Sequence, residues 1–353
     1  DGSTVNVTAT PNSGYTFTGW SGGSCSGAGL CSVDMDSDKS VTADFAVEEP
    51  VNNAVPLEFA GEFGESGSDD GQFRDPQGVA VAPNGFVYVA DSVNHNVQIF
   101  DAAGDFISKW GTQGTGNGEF YEPVGVAVAS DASGSVSVYV SEARNDRIQR
   151  FTSAGVYVSK WGTRGSRDGE LDHPAGVAVD PGGNVYVADT DNHRIQVFNS
   201  AGDLISKWGT QGTGDGEFRW PVGVAVASDA SGSDRVYVSE SGNDRIQVFD
   251  SAGDFVSKWG TEGYGDGDFI NPNGVAVASD GSVHVADSNN HRIQVFDSQG
   301  DFVSKFGSRG TGQGEFNTPH GVAVASDASG SVSVYVADTN NHRIQVFTRA
   351  SSE

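Results

Sequence analysis

The sequence predicts an all-β chain: a six-bladed β-propeller closed by an amino-terminal strand, with a small β module in front of it. Three observations carry that prediction. The pattern P-x-G-V-A-V occurs six times, beginning at Pro76, Pro123, Pro174, Pro221, Pro272 and Pro319. Each copy is followed by two more alternating segments and, in the first five, by a "G-D-F-V-S-K-W-G" relative, separated by Gly, Asp and Asn, so each repeat reads as a four-stranded antiparallel sheet. The last copy stops at its third segment, "HRIQVFT", and the missing fourth resembles "LEFAGEFGESGSDDGQF" at residues 57–73, where Phe63 fills the slot of Trp110, Trp161, Trp208, Trp259 and Phe306. An open solenoid has no use for that offset, whereas a ring closes by lending one strand from the first end to the last blade.

The elements follow in order. Residues 1–46 hold four strand-like runs, "STVNVTAT", "YTFTGW", "CSVDMD" and "SVTADF", around "PNSG" and "SDKS" turns. Residues 47–56, acidic and with two prolines, read as a linker. The propeller takes residues 57–349, and residues 350–353 are a tail. Successive prolines lie 47, 51, 47, 51 and 47 residues apart, because repeats two, four and six carry a longer "ASDASGS" loop beginning at Ala129, Ala227 and Ala325. A two-repeat unit has been multiplied three times. Val and Ala in "GVAVA" suit sheets that are apolar on both faces and narrow toward the axis.

Composition excludes some functions. With 47 acidic residues against 20 basic ones, the formal charge is −27. Such a surface repels phosphates, so no nucleic-acid partner is expected. No apolar run reaches the roughly 18 residues of a membrane span. The first residues show no signal peptide, so any export signal was removed or lay upstream. Two thiolates do not complete a zinc site, and a local disulfide between Cys25 and Cys31 in an exported protein is the better reading.

"DSNNHRIQVFD", residues 287–297, could be metal or proton chemistry. D-x-x-N-H-R or E-x-x-N-D-R recurs in five blades, with "DSVNHN" in blade one, and a motif spread round a ring builds the ring. Asn145, Asn192, Asn243, Asn290 and Asn341 are expected at the left-handed turn position. Arg147, Arg194, Arg245, Arg292 and Arg343 are expected to make bidentate bonds to Glu142, Asp189, Glu240, Asp287 and Asp338. Blade one has Asp91 but Asn96 in the arginine slot, which predicts a less tightly fixed blade. His95, His193, His291 and His342 read as turn residues, and His284, which replaces a tyrosine in "SVHVAD", as a packing substitution.

A site should depart from the repeat. The loops around each proline vary most, and from them Asp75, Gln77, Glu122, His173, Trp220, Asn273 and His320 are expected to form a mixed polar and aromatic ligand mouth on one face. His173 and His320 sit on opposite blades and cannot share a metal. Trp220 would stack on a sugar or peptide, or plug the opening. Glycine-rich loops such as "GTGDGEF" lack a Walker lysine, so they are poor phosphate cradles. Carboxylates near Asp215, Asp266 and Asp268 are of the kind that takes calcium as a structural ion, although no EF-hand spacing is present.

Residues 57–349 resemble the NHL-repeat β-propeller family through the six long repeats. Residues 1–46 resemble the back part of a divergent internalin-type B repeat, through "GYTFTGWSG", the cysteine pair and "MDSDKSVTADF". That module usually has one or two further strands first, which implies a longer protein upstream. The resemblance also implies a bacterial exported or surface protein, which supports the disulfide. The propeller family includes sensor domains of receptors and a peptide-amidating lyase with zinc on several channel histidines, but no matching histidine triad is found here. The expectation is therefore an exported, extracellular or cell-surface, non-enzymatic scaffold. It would bind a protein, peptide or glycan, or copies of itself in a filament or appendage, with no cofactor required. A channel-mouth lyase or hydrolase is the alternative.

Overall fold

The computed structural model describes residues 4–9, 15–22, 25–26, 31–34, 37, 39–47, 56–131, 133–228, 232–326 and 331–349. Two compact units result, residues 1–54 and 55–353. Most of the expected linker (48–55) and the tail (350–353) lie outside the described residues. Among the described residues no helix is long and apolar enough to cross a membrane.

In the small unit, strands Thr4–Val7 and Cys31–Asp34 pair, as do Tyr15–Ser21 and Thr42–Val47. The last strand runs one residue beyond the expected boundary at 46. Trp20, Cys31 and Val33 are buried between the pairs, and Cys25 is bonded to Cys31 with Cα atoms 5.3 Å apart.

The large unit has six four-stranded antiparallel sheets. Blade one is Pro76–Val81, Val87–Asp91, Asn96–Phe100 and Phe106–Trp110. Blade six is Pro319–Ser326, Val332–Asp338 and Arg343–Arg349, completed by Glu58–Phe63. In that closure Ile344 pairs with Phe63 and Phe347 with Phe59. The four extra residues of blades two, four and six lengthen the first hairpin itself: strands of eight and seven residues replace strands of six and five.

Blades meet through aromatic and aliphatic side chains. Trp110, Trp161, Trp208 and Trp259 each pack on a Phe of the next blade at centroid separations of 5.6–5.8 Å. Phe306 meets Phe347 at 4.5 Å, and Phe63 closes the circle on Phe100 at 4.6 Å. Nearer the axis the glycine of each P-x-G lies against the next blade's backbone. A Cβ on Gly78 would sit 2.4 Å from the Val124 carbonyl, and one on Gly321 would sit 2.3 Å from that of Gln77. A larger residue there would push the blades apart, so glycine at this position fixes the ring's inner radius.

Candidate functional site

The repeated polar residues account for the loops. The left-handed residue after each D/E-x-x-N is not the asparagine, as expected, but the next one: His95, Asp146, His193, Asp244, His291 and His342, with φ of 50–57°. The asparagine instead reaches inward. Asn192 Nδ2 donates to the Gly165 carbonyl at 2.8 Å and to Asp189 at 3.0 Å.

Each left-handed residue then accepts a hydrogen bond from the next blade. The pre-proline N–H of Glu122 donates to His95 Nδ1 (3.2 Å), His173 to Asp146 Oδ1 (3.0 Å), Trp220 to His193 Nδ1 (3.1 Å) and Asn271 to Asp244 Oδ1 (2.7 Å). Thr318 donates to His291 Nδ1 (3.0 Å) and Asp75 to His342 Nδ1 (3.3 Å), which completes the circle. Six latches therefore join six blades. An Nδ1 that accepts carries no hydrogen of its own, and burial lowers the pKa of His95 and His291.

The donors form a collar. Asp75, Glu122, His173, Trp220, Asn271 and Thr318 all have φ of 50–56°, an uncommon conformation for side-chain-bearing residues that persists where surrounding contacts over-determine it. The following proline disfavours the right-handed α region, and the latch holds the N–H.

Arg194 shows the interior of a blade. Its Nε donates to Asp189 Oδ2 at 2.6 Å, while its other nitrogens donate to the carbonyls of Ser166, Arg167 and Glu170, each at 2.8 Å. The expected bidentate pair forms only in blade two, where Arg147 reaches both Glu142 oxygens at 2.5 and 3.3 Å. Elsewhere the guanidinium makes one carboxylate bond and otherwise binds carbonyls of the glycine-rich loop, as Arg245 and Arg292 do. Arg343 also bonds Glu62 of the closing strand at 2.7 Å. The fully buried Gln98, Gln149, Gln196, Gln247, Gln294 and Gln345 complete each network. Gln196, for example, donates to the Glu170 carbonyl and accepts from Gly169 N–H. Sequence reasoning missed these glutamines, although "R-I-Q" recurs in five blades and "N-V-Q" stands in blade one.

Blade one lacks the arginine. Asn96 Oδ1 is buried without a partner, and Asp91, held by Arg74 N–H and Asn94 (2.9 and 2.7 Å), has its carboxyl pushed up to about 6 by burial. His284 is 1% exposed, its Nδ1 has no partner, and burial pushes it down to about 4. It packs where Tyr88, Tyr139, Tyr186, Tyr237 and Tyr335 pack in the other blades.

The structure does not bring the seven expected mouth residues together. Gln77, Asn273 and His320 follow their prolines and line the axial channel, where a cavity of about 70 Å³ has Val124, Ala175 and Val222 on its remaining blades. The polar three come from consecutive blades five, six and one and so stand opposite the aliphatic three, although the surface that faces the cavity is mostly apolar. Enclosure by protein pushes His320 down to about 4. Asn273 is committed to Ser288 Oγ at 2.7 Å.

Asp75, Glu122, His173 and Trp220 belong to the collar and do not line that cavity. Glu122 pairs with Arg144 at 2.9 Å. Trp220 does not plug the channel: it lies over Gly242, 44% exposed, with His193 at 6.1 Å and the Arg219 guanidinium 5.5 Å above the ring. His173 Nδ1 stands 3.0 Å from Asp191 Oδ2 and 3.2 Å from Asp172 Oδ1. Among the described residues, Asp146, Asp172 and His173 form the one convergent group of three metal-type side chains. Of the carboxylates weighed as calcium ligands, Asp215 pairs with Lys258, Asp266 pairs with Lys305, and Asp268 accepts from Thr261 Oγ1. The loop's backbone groups serve the arginines, glutamines and acidic side chains such as Glu119, and no phosphate cradle is left.

The geometry agrees with comparisons to known proteins. The NHL repeat model matches residues 73–100, 171–198, 269–296 and 331–347, and the divergent InlB B-repeat domain model matches residues 1–49. Over 121 residues the chain is 47% identical to B-box type zinc finger protein ncl-1 of Caenorhabditis elegans, covering 34% of this chain and 13% of that protein. Over 118 residues it is 33% identical to Protein brain tumor of Drosophila melanogaster, covering 33% and 11%. The matched stretches thus span only a small part of those relatives. A protein of unknown function from Bacteroides thetaiotaomicron aligns with a TM-score of 0.60 at 14% identity, covering 98% of this chain and 86% of that one. Virginiamycin B lyase from Staphylococcus aureus aligns at 0.55 and 13%, covering 82% and 99%. Identity that low speaks for the fold alone. Repeats, closure and matches together show a six-bladed β-propeller that carries NHL repeats, with a divergent InlB B-repeat domain at its amino-terminal side.

Proposed function

We propose that this chain is an exported, non-enzymatic binding scaffold that presents the pre-proline collar of its propeller to a protein, peptide or glycan. The observation that carries the reading is the division of labour in the loops. Repeated His, Asp, Arg, Gln and Asn side chains are committed to latches and blade interiors, while the collar positions differ in every blade and carry Trp220, exposed and flanked by Arg219. A rigid frame with a variable rim and an aromatic platform suits recognition, because little side-chain freedom is lost on binding. Export is supported by the Cys25–Cys31 bond, which persists in oxidising compartments, and by the likeness of residues 1–49 to a divergent InlB B-repeat domain.

The test is binding of the purified chain to immobilised peptide and glycan panels, compared with Trp220→Ala. Loss of one such aromatic anchor is expected to weaken a captured ligand by about tenfold or more. A wild-type chain that captures nothing from either panel, or a variant that binds as well, refutes the collar as the binding face.

A further inference from the structure

Six copies of one latch allow the same four positions to be compared blade by blade. They are the two residues before the proline, the third residue of D/E-x-x-N in the same blade, and the left-handed residue of the preceding blade. In blade three they are Asp172, His173, Asp191 and Asp146. In blade two the second and third positions neutralise each other, Glu122 with Arg144 at 2.9 Å. In blade six Asn340 Nδ2 donates to Thr318 Oγ1 at 3.0 Å. Blade three alone fills all four with metal-ligating side chains, so its departure from the repeat is concentrated at one point.

The distances add a chemical argument. His173 Nδ1 lies 3.0 Å from one carboxylate oxygen and 3.2 Å from another. The Nδ1–H tautomer of the imidazole donates to one of these carboxylates, so a single hydrogen must serve two acceptors. Asp146, which is 7% exposed, is left with the backbone N–H of His173 alone. Arg164 is the nearest cation, with Nε 3.8 Å from Asp172 on a largely exposed side chain. The ligand atoms of Asp146, Asp172 and His173 lie within 4.8 Å of one another. Donors around an ion with bonds of about 2.1 Å stand roughly 3–4 Å apart, so small side-chain rotations close the shell. Asp191 can join as the fourth ligand through the oxygen that already faces Nδ1.

We propose that Asp146, Asp172, His173 and Asp191 bind one divalent first-row transition ion, zinc foremost, across the boundary between blades two and three. One imidazole with carboxylates suits zinc or manganese, whereas calcium prefers an all-oxygen shell. Because Asp146 comes from blade two and the other three from blade three, the ion bridges two blades at the collar.

The test uses the whole chain, freed of metal with a chelator and titrated with Zn²⁺ alone by calorimetry, together with metal analysis after dialysis and thermal melting. His173→Asn and Asp191→Asn introduce residues that blade five already carries at those positions, Asn271 and Asn289, so the frame is kept and the backbone latch to Asp146 is untouched. The expected results are one ion per chain, at least a tenfold weaker constant in Asp191→Asn, and loss of stoichiometric binding in His173→Asn. Zn²⁺ should raise the melting temperature of the wild type but not of His173→Asn. A chain that holds no zinc, variants that bind as tightly as the wild type, or displacement of the ion by equimolar Ca²⁺ would overturn the assignment.

Discussion

Blade one and blade three are built on the same frame and differ where charge is handled. In blade three Arg194 answers the fully buried Asp189 and ties down three loop carbonyls. Burial still raises the Asp189 carboxyl, while the hydrogen bonds and the guanidinium pull it back. In blade one Asn96 stands in that place, Asp91 rises to about 6, and the Ser68 carbonyl is met by Lys109 at 3.3 Å. Blade three goes further at its rim, where it gathers three carboxylates around His173. The difference teaches that repeated residues carry architecture, and that each departure from the repeat marks either a weakened joint or a site.

Removing the arginine from blade three should have the largest effect. Arg194→Ala leaves Asp189 as an uncompensated buried charge, a change that costs about 3–5 kcal/mol, and the denaturation midpoint should fall accordingly. An unchanged midpoint would show that the network is not what holds the blade.

The converse change should repair blade one. In Asn96→Arg the guanidinium would answer Asp91 and find the Ser68, Asp69 and Gln72 carbonyls at the positions equivalent to those used in blade two. The pH dependence gives a second readout. A carboxyl raised from about 3.9 unfolded to about 6 folded binds its proton more tightly in the native state, so its penalty is fully present above pH 6 and is relieved as pH falls toward 4. That penalty is about 3 kcal/mol at pH 7. The stability gain of Asn96→Arg should therefore be greatest near neutrality and shrink on acidification, as measured by urea titrations from pH 4 to 8. A gain independent of pH would assign the benefit to packing.

The smallest effect belongs to the ring joint. His342→Ala removes one inter-blade latch, that to Asp75 N–H, and should cost about 1 kcal/mol. Faster hydrogen exchange at the Asp75 amide, with other amides unchanged, would locate the loss at the seam between blades six and one.

Much of this was legible before any coordinates. Six prolines at alternating spacing and the displaced "LEFAGEF" segment predicted blade count and closure, because a repeat that must bury both faces can end only on another copy of itself. Trp110 and Phe63 could be matched by slot, and Cys25 and Cys31 by proximity. The left-handed position was misassigned to Asn192 rather than His193 because asparagine has the stronger intrinsic tendency. Here it is drawn inward to Asp189 and the Gly165 carbonyl, and the turn passes to the next residue. The seven candidate residues were drawn from variable loops and grouped by closeness to a proline. A one-residue step across that proline moves a side chain from collar to channel, which separates His173 from His320 in kind as well as by blade.

The sequence by itself determined the repeat, the ring, the borrowed strand and the structural role of D-x-x-N-H-R, since each follows from periodicity along the chain. Only the tertiary structure decided which residues of neighbouring blades meet. Asp146 and His173 are 27 positions apart and no local pattern links them. They come together because closing a ring brings the turn of one blade against the proline loop of the next.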